Sequence, residues 1–293
     1  MNYLKLMTFV LLFVCCSAVL TAASDNKSSA NVSLTASTLP EFQASADYTF
    51  VLPANTDLKI KGSVSPVSVK AEGEAVWTPL PFLQLVGAGS AGTGWNNSLA
   101  DGLRINEPYG DTSRKLTGGN FEGIVYSAGG GAALQFDLAA IVPGEWNHVV
   151  FRTYHSCFYR GLTSADKDQS WVFEDDDGEN RNGYNYYGNY LIGYQMPLKF
   201  SFAGFLFEEE LRLYETENGS NWGDDLSRWT ISPLAVFDFT DKISATCLVQ
   251  FRTERNFIDG TADNDFYQTR KIDSDNERSM EFYRAVLIMN YKI

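Results

Sequence analysis

The sequence predicts an all-β chain that folds as a single transmembrane, antiparallel, up-and-down β-barrel of twelve strands, with ten as the lower limit. Three observations predict this fold. Apolar and polar residues alternate with a period of two along most of the chain, which is typical of strands with one apolar face. Short and long connections alternate between these segments, as they do between the two rims of a membrane barrel. Helical periodicity of comparable length does not occur.

The alternation is clearest in 42–52, where Phe42, Tyr48 and Phe50 share an apolar face and Asp47 lies on the polar one. Most of these segments are long enough for a tilted strand of roughly ten residues that crosses a bilayer. The segments that follow the same rule are 58–64, 67–77, 82–92, 124–138, 146–160, 184–196, 198–214, 227–239, 243–257 and 279–293.

The connections fall into two classes. A membrane barrel is expected to have its long loops on the outer rim and its tight turns on the inner rim. The tight turns are at 53–55, 78–81, 142–144, 196–197 and 240–242, and a further one at Ser65-Pro66 stands in a long-loop position. The long, polar loops are at 93–118, 161–183, 215–226 and 258–278.

Strand parity predicts one more strand. A chain whose strands begin at Phe42 has an odd number of them, whereas a single-chain bacterial barrel normally has an even number with both ends on the inner side. The missing strand is expected just upstream, where Val32, Leu34 and Ala36 alternate with Ser33 and Thr35.

The N-terminus carries an export signal. Lys5 precedes an apolar run at 6–20 and small residues at 21–23, which is the pattern of a signal peptide. The run is shorter than the ~20 residues that a spanning helix needs. We therefore expect residues 1–23 to be removed and 24–293 to form the barrel, with lipidation of Cys15 or Cys16 as the alternative.

Composition excludes several classes of protein. The chain has 293 residues, a formal net charge of −13, 14% aromatic residues and only 4 cysteines. This composition excludes wholesale disorder and a disulfide-built fold. The acidic balance argues against nucleic acid, because phosphate binding needs clustered Lys and Arg. A soluble exported β-sandwich stays as a rival, since its strands alternate in the same way.

The polar face of the predicted strands supplies candidate site residues. Lipid requires an apolar outer face, so the charged face is expected to point inward. Whether it lines an open narrow path or pairs into a plug stays open at this point. The pore-lining candidates are Lys59, Lys61, Lys70, Glu72, Glu74, Asp137, His148, Arg152, Arg228, Gln250, Arg252, Arg284 and Lys292. With Asp47 and Asp238 this face counts eight bases and five acids, and Gln135 and Asn290 lie beside them.

Aromatic residues and acidic loops complete the pattern. The loops at 161–183, 215–226 and 254–281 hold nearly all of the negative charge, which indicates a solvated surface or a field that attracts cations. The aromatic residues at the ends of the apolar stripes are expected to form interfacial girdles. They are Trp77, Tyr126, Tyr184, Tyr186, Tyr194, Trp229, Phe239 and Tyr291.

Enzymatic, cofactor and metal sites are not expected. His155 and Ser156 are adjacent on a strand and therefore point to opposite faces. His148 shares a face with Ser156 but lies roughly 26 Å from it at strand rise. Cys157 and Cys247 fall on the apolar faces of strands that are not neighbours, which favours small apolar fillers over a disulfide.

The last strand carries a specific resemblance. Tyr283, Leu287, Met289 and Tyr291 alternate on one predicted face up to the terminal Ile293. This segment resembles the closing strand of bacterial outer-membrane barrel proteins, which usually end in Phe. That resemblance implies recognition by the outer-membrane assembly machinery. The stretches 77–83 and 92–95 look like those of uncharacterised spirochaete-type barrels.

Two functions follow for a chain of this kind, with the lipid bilayer as its surroundings and no enzymatic activity. The first is a narrow pore or transport channel for small solutes, whose inward charges set its selectivity. The alternative is a plugged barrel that displays acidic loops in an adhesive, surface or structural role. The sequence does not specify the solute or the oligomeric state.

Overall fold

The computed structural model describes fifteen strands and one short 3-10 helix, Leu138–Ala140. The described residues are 28–38, 42–96, 102–106, 116–117, 120–166, 169–174, 180–213, 223, 225–261 and 270–293. The strands are β1 (Ser29–Ser37), β2 (Phe42–Leu52), β3 (Thr56–Val64), β4 (Ser68–Leu80), β5 (Leu83–Gly94), β6 (Leu103–Asn106), β7 (Leu116–Thr117), β8 (Val125–Asp137), β9 (His148–Leu162), β10 (Trp171–Phe173), β11 (Gly183–Gln195), β12 (Phe200–Arg212), β13 (Arg228–Asp238), β14 (Ile243–Arg255) and β15 (Arg278–Lys292). Among these residues no helix is long and apolar enough to span a membrane.

Twelve of these strands close into one barrel in the order β1-β15-β14-β13-β12-β11-β9-β8-β5-β4-β3-β2. Every neighbouring pair is antiparallel, so the prediction of an all-β, twelve-stranded, up-and-down barrel is confirmed. The expected upstream strand is β1, which pairs with β2 on one side and with β15 on the other.

Short connections close the inner rim. Ala54 and Asn55 both adopt positive φ, at 60° and 56°, as a tight hairpin turn between β2 and β3 requires. Between β8 and β9, Asp137 begins the 3-10 turn by accepting a 3.0 Å hydrogen bond from the Ala139 N–H. The tight turn in an outer position is also present, with the Ser65 N–H 3.0 Å from the Ser68 carbonyl oxygen.

The two faces of the barrel invert the pattern of a soluble protein. On the outer face, Ile60, Leu134 and Phe205 are 52%, 55% and 49% exposed. Polar residues of the inner face are buried instead, Ser232 completely and Gln250 to 7% exposure. A soluble sandwich buries its apolar face, so the closed ring and this inversion together exclude that rival.

A second, three-stranded sheet lies in the outer mouth, in the order β10-β6-β7. Its core packs Leu103, Trp171 and Phe173 against Val125 and Leu162, which are inner-face residues at the outer ends of β8 and β9. We call this element the mouth sheet. It was not predicted from the sequence, because its strands are too short to show a period.

The predicted alternation of the last strand is wrong at Tyr283. A β-bulge shifts the β14–β15 register beside Gln250, so that Phe282 takes the outer face in place of Tyr283. Phe282 is 58% exposed and contacts Phe251 of the outer face at a ring distance of 6.0 Å. The Tyr283 ring instead lies 3.7 Å from the guanidinium carbon of Arg252, on the inner face.

Glycines on the inner face make room for rings. A Cβ on Gly129 would clash with the backbone of β9 at Cys157 and lie 2.9 Å from the Phe158 ring. Outer-face Gly87 has nothing within 4 Å of the same position.

Replacing Gly129 by Ala is therefore expected to destabilise the barrel by about 1–3 kcal/mol, because the β9 backbone has no space to yield. The matched Gly87→Ala variant should be neutral or slightly more stable. Reversible urea unfolding in lipid vesicles measures both, and equal effects would contradict this packing.

Candidate functional site

The barrel lumen is the candidate site, because the strand register places all of the predicted pore-lining residues on the inner face. Three groups form: a charged wall, a glutamine-centred network and the contacts of the mouth. The charged wall consists of Asp47, Lys59, Lys61, Glu72 and Glu74 on β2, β3 and β4.

Oppositely charged neighbours alternate along the charged wall. Lys61 Nζ lies 2.7 Å from Glu72 Oε2, and Lys59 Nζ lies 3.7 Å from Asp47 Oδ2. Lys59 also pairs in register with Glu74 on the next strand. The side chains of Lys59, Lys61 and Glu72 are 41%, 31% and 37% exposed, so they reach the space inside the barrel. Each of these charges therefore has an opposite charge beside it and still faces the lumen.

A cavity of about 330 Å³ lies against the charged wall. Its other side is built from small side chains on β5 and β8, among them Ser90 and Ser127, whose hydroxyl oxygens are 2.7 Å apart. The Phe158 ring also lines the cavity and packs over Gly129. Because β5 and β8 carry only small residues here, the cavity is wider at this side of the barrel.

The second group centres on Gln250 of β14. Its Oε1 accepts a 2.6 Å hydrogen bond from Arg284 Nε, and its Nε2 donates to Ser232 Oγ at 3.1 Å and to Glu208 Oε2 at 3.5 Å. The main-chain ladder between β13 and β14 is interrupted beside Pro233, which has no N–H to donate. The buried Gln250–Ser232 bond joins the two strands at that gap.

Arg252 lies next to this network and contacts both a carboxylate and an aromatic ring. Its Nε is 2.7 Å from Glu254 Oε1, and its guanidinium carbon lies 3.7 Å from the Tyr283 ring centroid. The bulge that turns Tyr283 inward therefore provides an aromatic face for this cation.

The outer mouth is fastened by Glu174, at the end of β10. Its carboxylate accepts hydrogen bonds from Lys70 Nζ, at 2.5 Å, and from the Ser68 hydroxyl. Its own N–H donates to the Gly102 carbonyl oxygen at 3.0 Å, and its φ of 60° is the left-handed conformation that non-glycine residues rarely adopt. Lys70, predicted as pore-lining, thus ties the mouth sheet to the barrel.

The same sheet is held on the β9 side. Arg160 Nη1 lies 2.6 Å from Asn180 Oδ1, and the Arg160 guanidinium carbon is 5.0 Å from the Trp171 ring centroid. Asn182 Oδ1 accepts from the Leu162 N–H at 2.8 Å and from Trp171 Nε1 at 3.2 Å. Trp171 is fully buried, so this corner of the mouth is closed.

The remaining candidates lie apart from these groups. His148 Nδ1 is 2.7 Å from Asp137 Oδ2 at the inner rim, where both side chains are 36% exposed. The Arg152 guanidinium lies 5.5 Å from the Tyr154 ring centroid. Arg228 faces Glu210 in register near the outer end, and Lys292 faces Asn31 at the inner end.

The predicted excess of inward positive charge is wrong. Among the described strand residues, register adds two bases, Arg160 and Arg212, and five acids to the eight bases and five acids counted from the sequence. The inner face of these strands therefore carries ten bases and ten acids. Glu208 and Glu210 were missed because the run of three glutamates hides their alternation. The other added acids are Asp57, Glu254 and Glu281.

One stretch of the inner face is apolar, contrary to the polar face expected there. It spans β11 to β15, and none of its side chains is buried. Adjacent members face each other directly in register, as Leu234 faces Leu248 and Leu248 faces Val286. We call it the apolar wall, and it consists of Leu191, Phe202, Leu206, Leu234, Val236, Leu248, Val286 and Ile288.

Catalytic groups do not converge in the described parts of the chain. His155 lies on the outer face with Nδ1 2.7 Å from Tyr186 Oη, whereas Ser156 is buried on the inner face. Cys157 and Cys247 are free and exposed. Across the residues that the structure describes, no group of His, Cys, Asp and Glu has the geometry to hold a metal ion.

Comparison with known proteins gives similarity of fold. No protein-family model matches the sequence, and no curated protein matches it. The NanC porin is 5% identical with a TM-score of 0.46, over 90% of this chain and 100% of that one. The KdgM porin is 10% identical with a TM-score of 0.41, over 90% and 99%. The translocator domain of the autotransporter NalP from Neisseria meningitidis is 10% identical with a TM-score of 0.44, over 98% and 96%. Two of these structures are named as porins and one as a translocator domain, and similarity to spirochaete-type barrels stays a prediction.

Breaking the Lys70–Glu174 contact is expected to loosen the mouth sheet. Glu174→Gln should speed amide hydrogen exchange across 171–173 by an amount equivalent to about 1–2 kcal/mol, since a partly exposed charge-assisted contact is lost. The exchanged pair Lys70→Glu with Glu174→Lys should restore slow exchange, and Glu74→Gln is the matched control. Unchanged exchange in Glu174→Gln would show that the contact does not hold the sheet.

Proposed function

We propose that this chain is an outer-membrane β-barrel that gives small solutes a narrow passage. The observation that carries the proposal is the cavity of about 330 Å³ inside the lumen, with paired but partly exposed charges along one side. A plugged barrel would bury these side chains against one another. Partly exposed charges lining a constriction are instead the usual basis of selectivity in channels.

The placement in a membrane is supported by the outer face. Large apolar side chains cover it, and aromatic residues stand at both ends, with Tyr126, Tyr184 and Trp229 toward the outer rim and Trp77 and Tyr291 toward the inner rim. Aromatic girdles that flank an apolar band are characteristic of membrane barrels. Export by the signal peptide at 1–23, and recognition of the C-terminal strand by the assembly machinery, belong to the same proposal.

The mouth sheet favours a second candidate function, a closed barrel that displays its loops. Trp171 is fully buried there, and Glu174 is drawn inward to Lys70 rather than exposed. These contacts narrow the outer opening on the side of β4 to β9. Conductance therefore separates the two functions.

Refolded mature chain is expected to produce reproducible single-channel steps in planar bilayers. The protein is first shown to be folded by a change in electrophoretic mobility on boiling. Silence from protein that passes this control contradicts an open passage and supports the closed barrel with displayed loops.

Ion preference is expected to be weak in the native barrel, because bases and acids balance on its inner face. Lys59→Gln with Lys61→Gln should shift the reversal potential toward cation preference severalfold in permeability ratio. Glu72→Gln with Glu74→Gln, the matched opposite variant, should shift it toward anions. Reversal potentials that stay unchanged in both variants would remove the charged wall from the conduction path.

A further inference from the structure

The apolar wall and the charged wall face each other across the lumen. β4 and β13 are six strands apart in either direction round the closed ring, and are therefore diametrically opposed. Glu74 is the central residue of β4, and Leu234 lies next to the centre of β13. A solute at mid-height in the barrel is thus bounded by alternating charges on one side and by leucine and valine side chains on the other.

The apolar wall is open to the lumen. All eight of its side chains retain partial exposure, although they belong to the concave face, and none joins the buried core. Apolar surface in contact with water costs roughly 25 cal/mol per Å², so a solute whose apolar part displaces this water is favoured there. A passage for inorganic ions alone gains nothing from such a surface.

The charged wall selects the charged head group of the solute. Lys61 stands 2.7 Å from Glu72, and Lys59 stands between Asp47 and Glu74. A solute with a single charge that pairs with one residue of the charged wall also lies directly beside a residue of like charge. A head group that carries both an ammonium and a carboxylate group matches the alternating charges of the wall. The adjoining cavity of about 330 Å³ has room for roughly ten waters at about 30 Å³ each, which suits a solute of amino-acid size.

We infer that the passage selects amphipathic zwitterions of amino-acid size, with the charged head on the charged wall and the apolar body on the apolar wall. The inference rests on the proposed function and deepens it by naming the class of solute. Phe158, at the edge of the cavity, adds an apolar ring on the side nearer the head.

Uptake into proteoliposomes tests this with two matched comparisons. Leucine and asparagine are zwitterions of equal heavy-atom count that differ in the polarity of the side chain. Leucinamide and N-acetylleucine keep the leucine side chain but carry only a positive or only a negative charge. Initial rates are measured well below saturation, with leakage through protein-free liposomes subtracted.

Leucine is expected to enter about fivefold faster than asparagine, because roughly 40 Å² of its apolar surface leaves water at the wall. It should also enter faster than either singly charged analogue. Equal rates for leucine and asparagine overturn the inference and indicate that a lipid acyl chain or a segment of the chain covers the wall. Equal rates for leucine and its two singly charged analogues overturn the inference that the charged wall selects a zwitterionic head group.

A triple variant connects the preference to the wall. Leu206→Ser, Leu234→Ser and Leu248→Ser together should bring the leucine-to-asparagine ratio close to one, in protein shown to be folded by its heat-modifiable mobility. The control variant replaces Val76 and Val86, inner-face residues of β4 and β5 outside the apolar wall, by Ser and should keep the ratio. If the triple variant does not fold, block of wild-type current by leucine but not by asparagine gives the same test.

The experiments give different results if only the solute class is wrong and if the proposed function itself is wrong. Current and asparagine entry without leucine preference overturn only the solute class. Absence of current and of all solute entry, from protein with normal heat-modifiable mobility, overturns both.

Discussion

The pairing of β1 with β15 is the constraint on which the rest of the molecule depends. In lipid an unpaired strand edge leaves N–H and C=O groups without partners, at several kcal/mol each, so a spanning sheet has to close. Register runs from Asn31 opposite Lys292 to Ser37 opposite Val286, and the Ile293 N–H extends it to the Ala30 carbonyl oxygen at 3.0 Å. Closure in this register also fixes the faces, since a slip of one residue would turn the charged face toward lipid.

A ring of twelve strands is wider than side chains alone can fill, and narrower than the open sixteen-stranded porins. This barrel divides the resulting space. At the outer mouth the mouth sheet occupies part of it, on the side of β4 to β9, through a core that shares Val125 and Leu162 with the barrel wall. Below it, β5 and β8 contribute small residues such as Ser90 and Gly129, and the cavity remains. The narrowed mouth and the open interior both follow from the width of a twelve-stranded ring.

Period-two alternation was enough to predict the twelve strands, the upstream strand from parity, and the face of each charged candidate. Period-two alternation did not predict the local irregularities of the structure. The bulge beside Gln250 reverses Tyr283, and its sign in the sequence is the adjacent pair Phe282 and Tyr283, which interrupts the alternation. The mouth sheet has strands of four, two and three residues, too short for a period. The apolar wall was missed for another reason. β13 and β14 carry apolar residues on both faces, and the general rule of a polar interior was applied to Leu234, Val236 and Leu248 as well.

Short-range contacts, rather than the net charge of the chain, determine which solutes the lumen distinguishes. The chain carries a formal charge of −13, yet the described strand residues of the inner face hold ten bases and ten acids, so the excess negative charge does not come from them. At physiological salt the Debye length is about 8 Å, which confines the field of an exposed charge to its immediate surroundings. Lys59, Lys61 and Glu72 at mid-height therefore act on a solute only through their own short-range contacts. The opposed walls inside the barrel discriminate by the arrangement of charge and apolar surface on the solute itself.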